Sequence, residues 1–458
     1  MRLQQMISVN QGGDEVRAFK NNPDLIIKGG IIVTMVGGQD PIPEGEVFVT
    51  NGRITGIHPL DVKNNAGDIH AEIINAKDAI IMPGLINGHT HAAMTLFRGL
   101  ADDLPLKQWL FEKIFPAEAK FLNTDTVYWG ALLGCLEMIA SGTTCFIDGY
   151  FFQDETVRAA HDSGLRALIA QGVIDFPAPG VEDPEKNLKV AKEFIERWLG
   201  FSDLIMPGIF CHSPLTCSEQ TLKDAREISQ QFDLPLQIHL SETSDEVNEI
   251  LKKAGKRPVH YLDELGLIND GLIAAHAVHL DDREIECLKE NRVKVVHVPE
   301  SNMKLCSGVA RVLDMVKLGM PIGLGTDGCS SNNNLDLFQE MDTAAKLSKV
   351  FSLDPVALDA ETVLRMATTW GASVLGLEDQ VGTLEVGKKA DIIVVDLQGP
   401  NLCPVYDPLS ALVYSASGAD VKDVIVDGKV LMKDRTFTTL DPNEIMERVR
   451  RISSDIRI

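Results

Sequence analysis

The 458-residue sequence predicts an α/β protein, a (β/α)8 TIM-type barrel carrying a small β-sandwich domain formed by both termini. Three observations predict it. From about Met82 to Leu384, short apolar runs alternate with longer segments of helical periodicity, the pattern of βα units around a parallel sheet. Metal-ligand types of residue stand at the ends of several of those runs. Towards both ends of the chain the texture changes to β-branched runs separated by glycines.

In chain order, LIIKGGIIVTMVGG at 25–38 and EVFVTNGRITGI at 46–57 read as antiparallel strands and hairpins. AIIMPGLI, closing on His89 and His91 in NGHTH, reads as the first barrel strand. Residues two apart on a strand point the same way, so the two imidazoles project together. The following runs are TTCFIDGY at 143–150, LRALIAQG at 165–172, LIMPGIFCH at 204–212 and LPLQIHL at 234–240. LIAAHAVH at 272–279, VKVVHVP at 293–299 and MPIGLGTD at 320–327 complete a set of eight. Eight parallel strands close a barrel whose active site lies at the C-terminal strand ends. VGTLEVGKKADIIVVDL at 381–397 and VKDVIVDGKVLMKDR at 421–435 then return to strands, with Asp427 and Gly428 as a hairpin turn. Two half-sheets with exposed edges need each other. Residues 24–81 and 385–440 are therefore assigned to one composite β-sandwich, 82–384 to the barrel and 442–458 to a charged C-terminal helix.

Composition narrows the function. A net charge of −23 opposes contact with phosphate backbones, which argues against nucleic acid polymers as partners. Eight cysteines occur without a C-x-x-C, which disfavours a thiolate zinc cluster and fits reduced thiols in a cytoplasmic protein. The first 22 residues are polar and charged, and no run of 18 apolar residues occurs, so neither an export signal nor a membrane span is expected. Homo-oligomerisation stays open.

With 11 His in the chain, a His-x-His pair arises by chance in roughly one such sequence in four. The weight of His89 and His91 comes from His239 ending the fifth run, His276 in the sixth and Asp327 ending the eighth. In a closed barrel these ends converge. Three His and a carboxylate suit one divalent metal, Zn(II) first and Fe(II) second, with a position left for water. His276 and His279 face different ways on a strand. His276 is the site candidate, His279 a structural or loop residue, and His297 stays ambiguous. Glu242, in HLSET, stands where the chain leaves its strand and is a candidate proton shuttle. Asp327, in LGTDG, follows an apolar strand where an unpaired charge would be costly.

NGHTH, His239 with Glu242, AAHAVH and LGTDG, in this order, resemble the amidohydrolase superfamily. Within it, MPGLINGHTHAAMTLFRG, WLFEKIFPAE and LGTDGCSSNN are similar to the 5-methylthioadenosine/S-adenosylhomocysteine deaminases. The resemblance spans the whole chain. It implies His89, His91, His239 and Asp327 as metal ligands, with Trp109 packing over a small nucleoside, Glu118 accepting from its ribose hydroxyls and His212 lining the pocket. LIMPGIFCHSPL has no Lys to bridge two metals, so a mononuclear centre is implied. The implied reaction is hydrolytic deamination at C6 of a 5'-modified adenosine. Asp327 would take the proton of the attacking water, Glu242 would donate to N1, and His276 would orient the attacking oxygen. Where members active on S-adenosylhomocysteine carry an Arg, this chain has Gln171, and the following loop, GVEDPEKN, is acidic. Methylthioadenosine is therefore expected to be preferred. The alternatives are a related hydrolase of a guanine, cytosine or triazine-type ring and, last, a non-catalytic scaffold, which would lack a complete ligand set.

Overall fold

The computed structural model describes residues 23–60 and 70–456. The expectation for the first 22 residues therefore lies outside the described part. Five strands come first: β1 (Leu25–Ile32), β2 (Ile42–Thr50), β3 (Arg53–Pro59), β4 (Glu72–Asn75) and β5 (Ala79–Pro83). Eight more follow: β6 (Leu85–Thr90), β7 (Thr143–Tyr150), β8 (Arg166–Val173), β9 (Ile205–Cys211), β10 (Leu236–Leu240), β11 (Leu272–His276), β12 (Lys294–His297) and β13 (Ile322–Leu324). The last four are β14 (Ile392–Asp396), β15 (Val421–Val426), β16 (Lys429–Lys433) and β17 (Thr436–Phe437).

Strands β6 to β13 form an eight-stranded sheet in sequence order, every neighbour parallel. Its two ends meet where Asp327 N–H donates to the His89 carbonyl at 3.0 Å and Asn87 Nδ2 donates to Thr326 Oγ1 at 2.7 Å. Gly325 permits that seam, since a Cβ there would sit 2.7 Å from the His89 backbone nitrogen. Side chains alternate as a two-residue period requires. Ile86, Cys145, Ile147, Leu168, Ala170 and Phe210 fill the barrel, whereas Phe146, Ile169, Ile209 and Ile238 face the helices.

The remaining strands make one nine-stranded mixed sheet from both parts of the chain. It folds over a shared core, in which Ile27, Val47 and Ile54 meet Ile392, Val394 and Ile425. Asp427 and Gly428, both at positive φ, turn β15 into β16. The two sheets are tied by Arg166, whose guanidinium grips the buried Asp391 carboxylate at 2.8 and 3.1 Å. The helix Pro442–Asp455 packs Ile445 and Val449 inward.

One reading is corrected. AIIMPGLI is not a single barrel strand: Ala79–Pro83 pairs with β14 in the mixed sheet, and only Leu85–Thr90 enters the barrel. The break is at Gly84, where a Cβ would overlap Thr144 at 2.1 Å. Every residue on either side is buried, so hydropathy does not reveal that the chain changes sheets there.

Candidate active site

The C-terminal barrel mouth brings four groups together. His89 ends β6 beside His91, His239 lies in β10 and Asp327 follows β13, and one ligand atom from each lies within 4.8 Å of the others. Asp327 Oδ1 is 3.5 Å from His89 Nε2 and 3.2 Å from His91 Nε2, and His239 Nε2 is 3.2 Å from His89 Nε2. Ligands at about 2.0–2.1 Å on a tetrahedral ion are about 3.3–3.4 Å apart, so these separations fit one zinc-sized ion. The other nitrogen of His91 is used, as Nδ1 lies 2.5 Å from the Gly149 carbonyl. Burial pushes His89 down to about 4 and His239 well below its ordinary value, leaving both as neutral imidazoles, the ligand form. Burial works the other way on Asp327, yet hydrogen bonds from His89 and His91 hold it well below the usual carboxylate range. β9, reading IMPGIFC, offers no lysine to this centre.

The rest of the mouth surrounds that group. His276 Nε2 is 3.9 Å from Glu242 Oε2, and its Nδ1 is 2.9 Å from Asn302 Oδ1. Burial lowers the His276 pKa, but the Glu242 and Asp327 carboxylates outweigh it and raise the ring above its ordinary value. Glu242 is half-buried and accepts from Ser307 Oγ at 3.1 Å. Asp327 Oδ2 accepts from Ser301 Oγ at 2.6 Å and Ser331 Oγ at 2.9 Å. Ser241, His276, Ala277 and Asp327 all have φ between 48 and 71°. Left-handed backbone costs a non-glycine residue about 1–3 kcal/mol, and such strain gathers where side chains are aimed for function.

A cavity opens above. Trp109 begins a π-helical turn, Trp109–Ile114, in which Phe115 N–H reaches back five residues to Leu110 just before Pro116, which has no N–H. The turn feeds the helix Phe115–Phe121, which directs Glu118 inward. Glu118 is 2% exposed, accepts from Tyr150 Oη at 2.6 Å, and is pushed up to about 7 by burial against the pull of that bond. His212 lines the same cavity with Nδ1 2.9 Å from Thr216 Oγ1, and burial takes it down to about 3. Leu106, Leu110, Phe115, Val173, Ile174 and Leu305 complete an apolar wall, and among the described residues no lysine or arginine lines the cavity.

Gln171, which the sequence offers as a substrate-binding candidate, is not among the residues that line the cavity. Leu168 and Ala170 of β8 point into the barrel, so Gln171, one residue on, faces the helices, where its Oε1 lies 3.4 Å from the Gln153 backbone N–H. Gly172, Val173 and Ile174 are the residues of that segment that reach the cavity. His279 is outside it, with Nε2 at 2.6 Å from the Ser307 carbonyl. His297 lines a separate cleft together with Val312 and Phe351. Tyr150, Ser301, Asn302 and Ser331 were not anticipated. Tyr150 closes β7, whereas Ser301 and Asn302 lie in the helix after β12 and Ser331 in the segment after β13, where sequence carries no signal of a role.

A model of the amidohydrolase family matches residues 80–431. The 5-methylthioadenosine/S-adenosylhomocysteine deaminase of Syntrophobacter fumaroxidans is 48% identical over 435 residues, covering 95% of this chain and 98% of the relative. The 5'-deoxyadenosine deaminase of Methanosarcina mazei is 46% identical, covering 94% and 98%. Among solved structures, an adenosine deaminase from Xanthomonas campestris with zinc bound superposes with a TM-score of 0.92 at 38% identity, covering 95% and 99%.

Proposed function

This chain belongs to the amidohydrolase family, and on that premise we propose that it is a metal-dependent deaminase. It replaces the C6 amino group of 5'-modified adenosines, giving the inosine product and ammonia. The observation that carries the reading is the buried Glu118 in an apolar chamber above the three-histidine, one-aspartate group. A carboxylate there is an acceptor for the two hydroxyls of a ribose, a group that free guanine, cytosine and triazine rings lack. Trp109 and His212 supply flat faces to the same chamber. With no lysine or arginine in the wall among the described residues, a 5' substituent that is small and uncharged is favoured, which points to 5'-methylthioadenosine and 5'-deoxyadenosine over S-adenosylhomocysteine.

His89, His91, His239 and Asp327 would hold one divalent ion, Zn(II) in our reading, which would supply Lewis acidity and a readily deprotonated water. Asp327, with Oδ2 braced by two serine hydroxyls, receives the water proton. Glu242, protonated on entry, delivers its proton to N1 so that C6 accepts the attacking oxygen; it then takes back the proton of the new C6 hydroxyl while Asp327 passes the water proton to the amine and ammonia departs, with His276 Nε2 holding that oxygen in line.

Zinc-quantified protein should release ammonia from 5'-methylthioadenosine and 5'-deoxyadenosine with a kcat/KM at least about tenfold above that for S-adenosylhomocysteine, about 1.4 kcal/mol of discrimination. Guanine and cytosine should be inert. Release from a free base alone would overturn the proposal.

Glu118 adds a pH dependence. Its carboxyl is raised, so the protonated form that cannot accept both hydroxyls grows as pH falls through about 7. A divalent ion at the three-histidine, one-aspartate group would pull this value downward, so the rise of KM for ribosides on acidification begins at or below that pH. Glu118→Gln should raise KM by about 10–150-fold, the worth of a charged hydrogen bond, and flatten this limb of the profile. An unchanged limb in the variant would remove Glu118 from the ribose site.

A further inference from the structure

We propose that Asn302 is a positioning residue for the reaction: by accepting a hydrogen bond from Nδ1–H of His276, it commits Nε2 as the nitrogen that faces the attacking oxygen. This rests on the deaminase reading above. Asn302 is buried in the short helix Pro299–Lys304, directly after β12, and does not line the cavity. Its Oδ1 lies 2.9 Å from His276 Nδ1, while its Nδ2 has no partner. The Asn302 carbonyl also accepts from Ser307 N–H at 2.9 Å, and Ser307 Oγ is the donor to Glu242 Oε1 at 3.1 Å. One residue therefore reaches both sides of the His276–Glu242 pair.

The geometry alone permits two assignments. With Oδ1 towards the ring, Nδ1 carries a proton and the neutral imidazole keeps its Nε2 lone pair for the water. With the amide reversed, Nδ2 would donate to Nδ1, and Nε2–H would be fixed as a donor towards Glu242, 3.9 Å away. The first assignment fits the site better, because the structure sets Oδ1 towards the ring, and an acceptor at Nδ1 serves the imidazole whether Nε2 holds a lone pair or a proton, whereas a donor there serves only one form. Ser301, the preceding residue, donates to Asp327 Oδ2 at 2.6 Å, so the same helical turn steadies the other proton-handling group.

Aspartate in place of Asn302 can only accept, and leucine can do neither, which separates the assignments. Wild type, Asn302→Asp and Asn302→Leu are to be compared by kcat and KM on 5'-deoxyadenosine, zinc per chain and thermal midpoint. We expect Asn302→Leu to lose about 100-fold in kcat, the lower range for a misaligned acid–base group, with KM within about twofold and zinc stoichiometric. Asn302→Asp should keep kcat within about fivefold of wild type, since the acceptor is retained. In a His276→Ala background, Asn302→Asp should change kcat no further, the mark of action through that ring. Asn302→Ser, too short to reach Nδ1, carries the leucine expectation should the leucine variant not fold. Equal losses in Asp and Leu variants, or no loss in Leu, would overturn the inference with the deaminase reading intact. An inactive wild type on every adenosine derivative would defeat that reading and the inference together.

Discussion

Glu242→Gln is expected to lower turnover of 5'-deoxyadenosine by about 10²–10⁴-fold, the span that a positioned acid–base group contributes, while KM and bound zinc stay near wild type. The separation of effects follows from where Glu242 stands. It lines the cavity but is not among the four clustered ligand groups, so its loss leaves the ion's donors intact. Glutamine preserves size and can still accept from Ser307 Oγ, so the loop after β10 has no reason to move. What glutamine cannot do is take up a proton and deliver it to a ring nitrogen. Steady-state kinetics with metal analysis on the same preparation checks this. Near-normal turnover at full zinc occupancy would transfer the role to another group at the mouth, and His276, 3.9 Å from Glu242, is the neighbouring titratable candidate.

The parts of this protein that were legible in sequence share one property: they repeat, or they end something that repeats. Eight apolar runs specify a barrel, and a polar residue closing such a run has few places to go except the mouth. That is why His89, His239, His276 and Asp327 are legible in the sequence, and why the structure finds them together. Gln171 also stands near the end of a run, but its side chain turns to the Gln153 backbone and stays out of the cavity lining, and composition carries no marker of that turn. The sheet change at Gly84 was hidden for a related reason, since both flanks are equally buried. Asn302 and Ser301 sit in VPESN, an ordinary helix start by sequence, and only three-dimensional closure brings them to His276 and Asp327.

His239→Ala should abolish zinc retention and with it detectable deamination, yet leave the metal-free protein folded with little loss of thermal midpoint. The ring is buried beside His89 with two nitrogens facing at 3.2 Å, and burial keeps both imidazoles neutral, so without an ion this contact pairs nothing that attracts strongly. Removing one ring costs packing but also relieves a site assembled for an ion and not for its own stability. The ion should instead supply the difference. Binding only the folded state at about 1,000 times its Kd, zinc adds about 4 kcal/mol to the wild type. Chelation of the wild type should therefore lower its midpoint towards that of His239→Ala, and zinc should restore the first but not the second. A variant that regains the zinc-dependent midpoint would show that His89, His91 and Asp327 suffice to hold the ion, and His239 would then have to be assigned to the substrate instead.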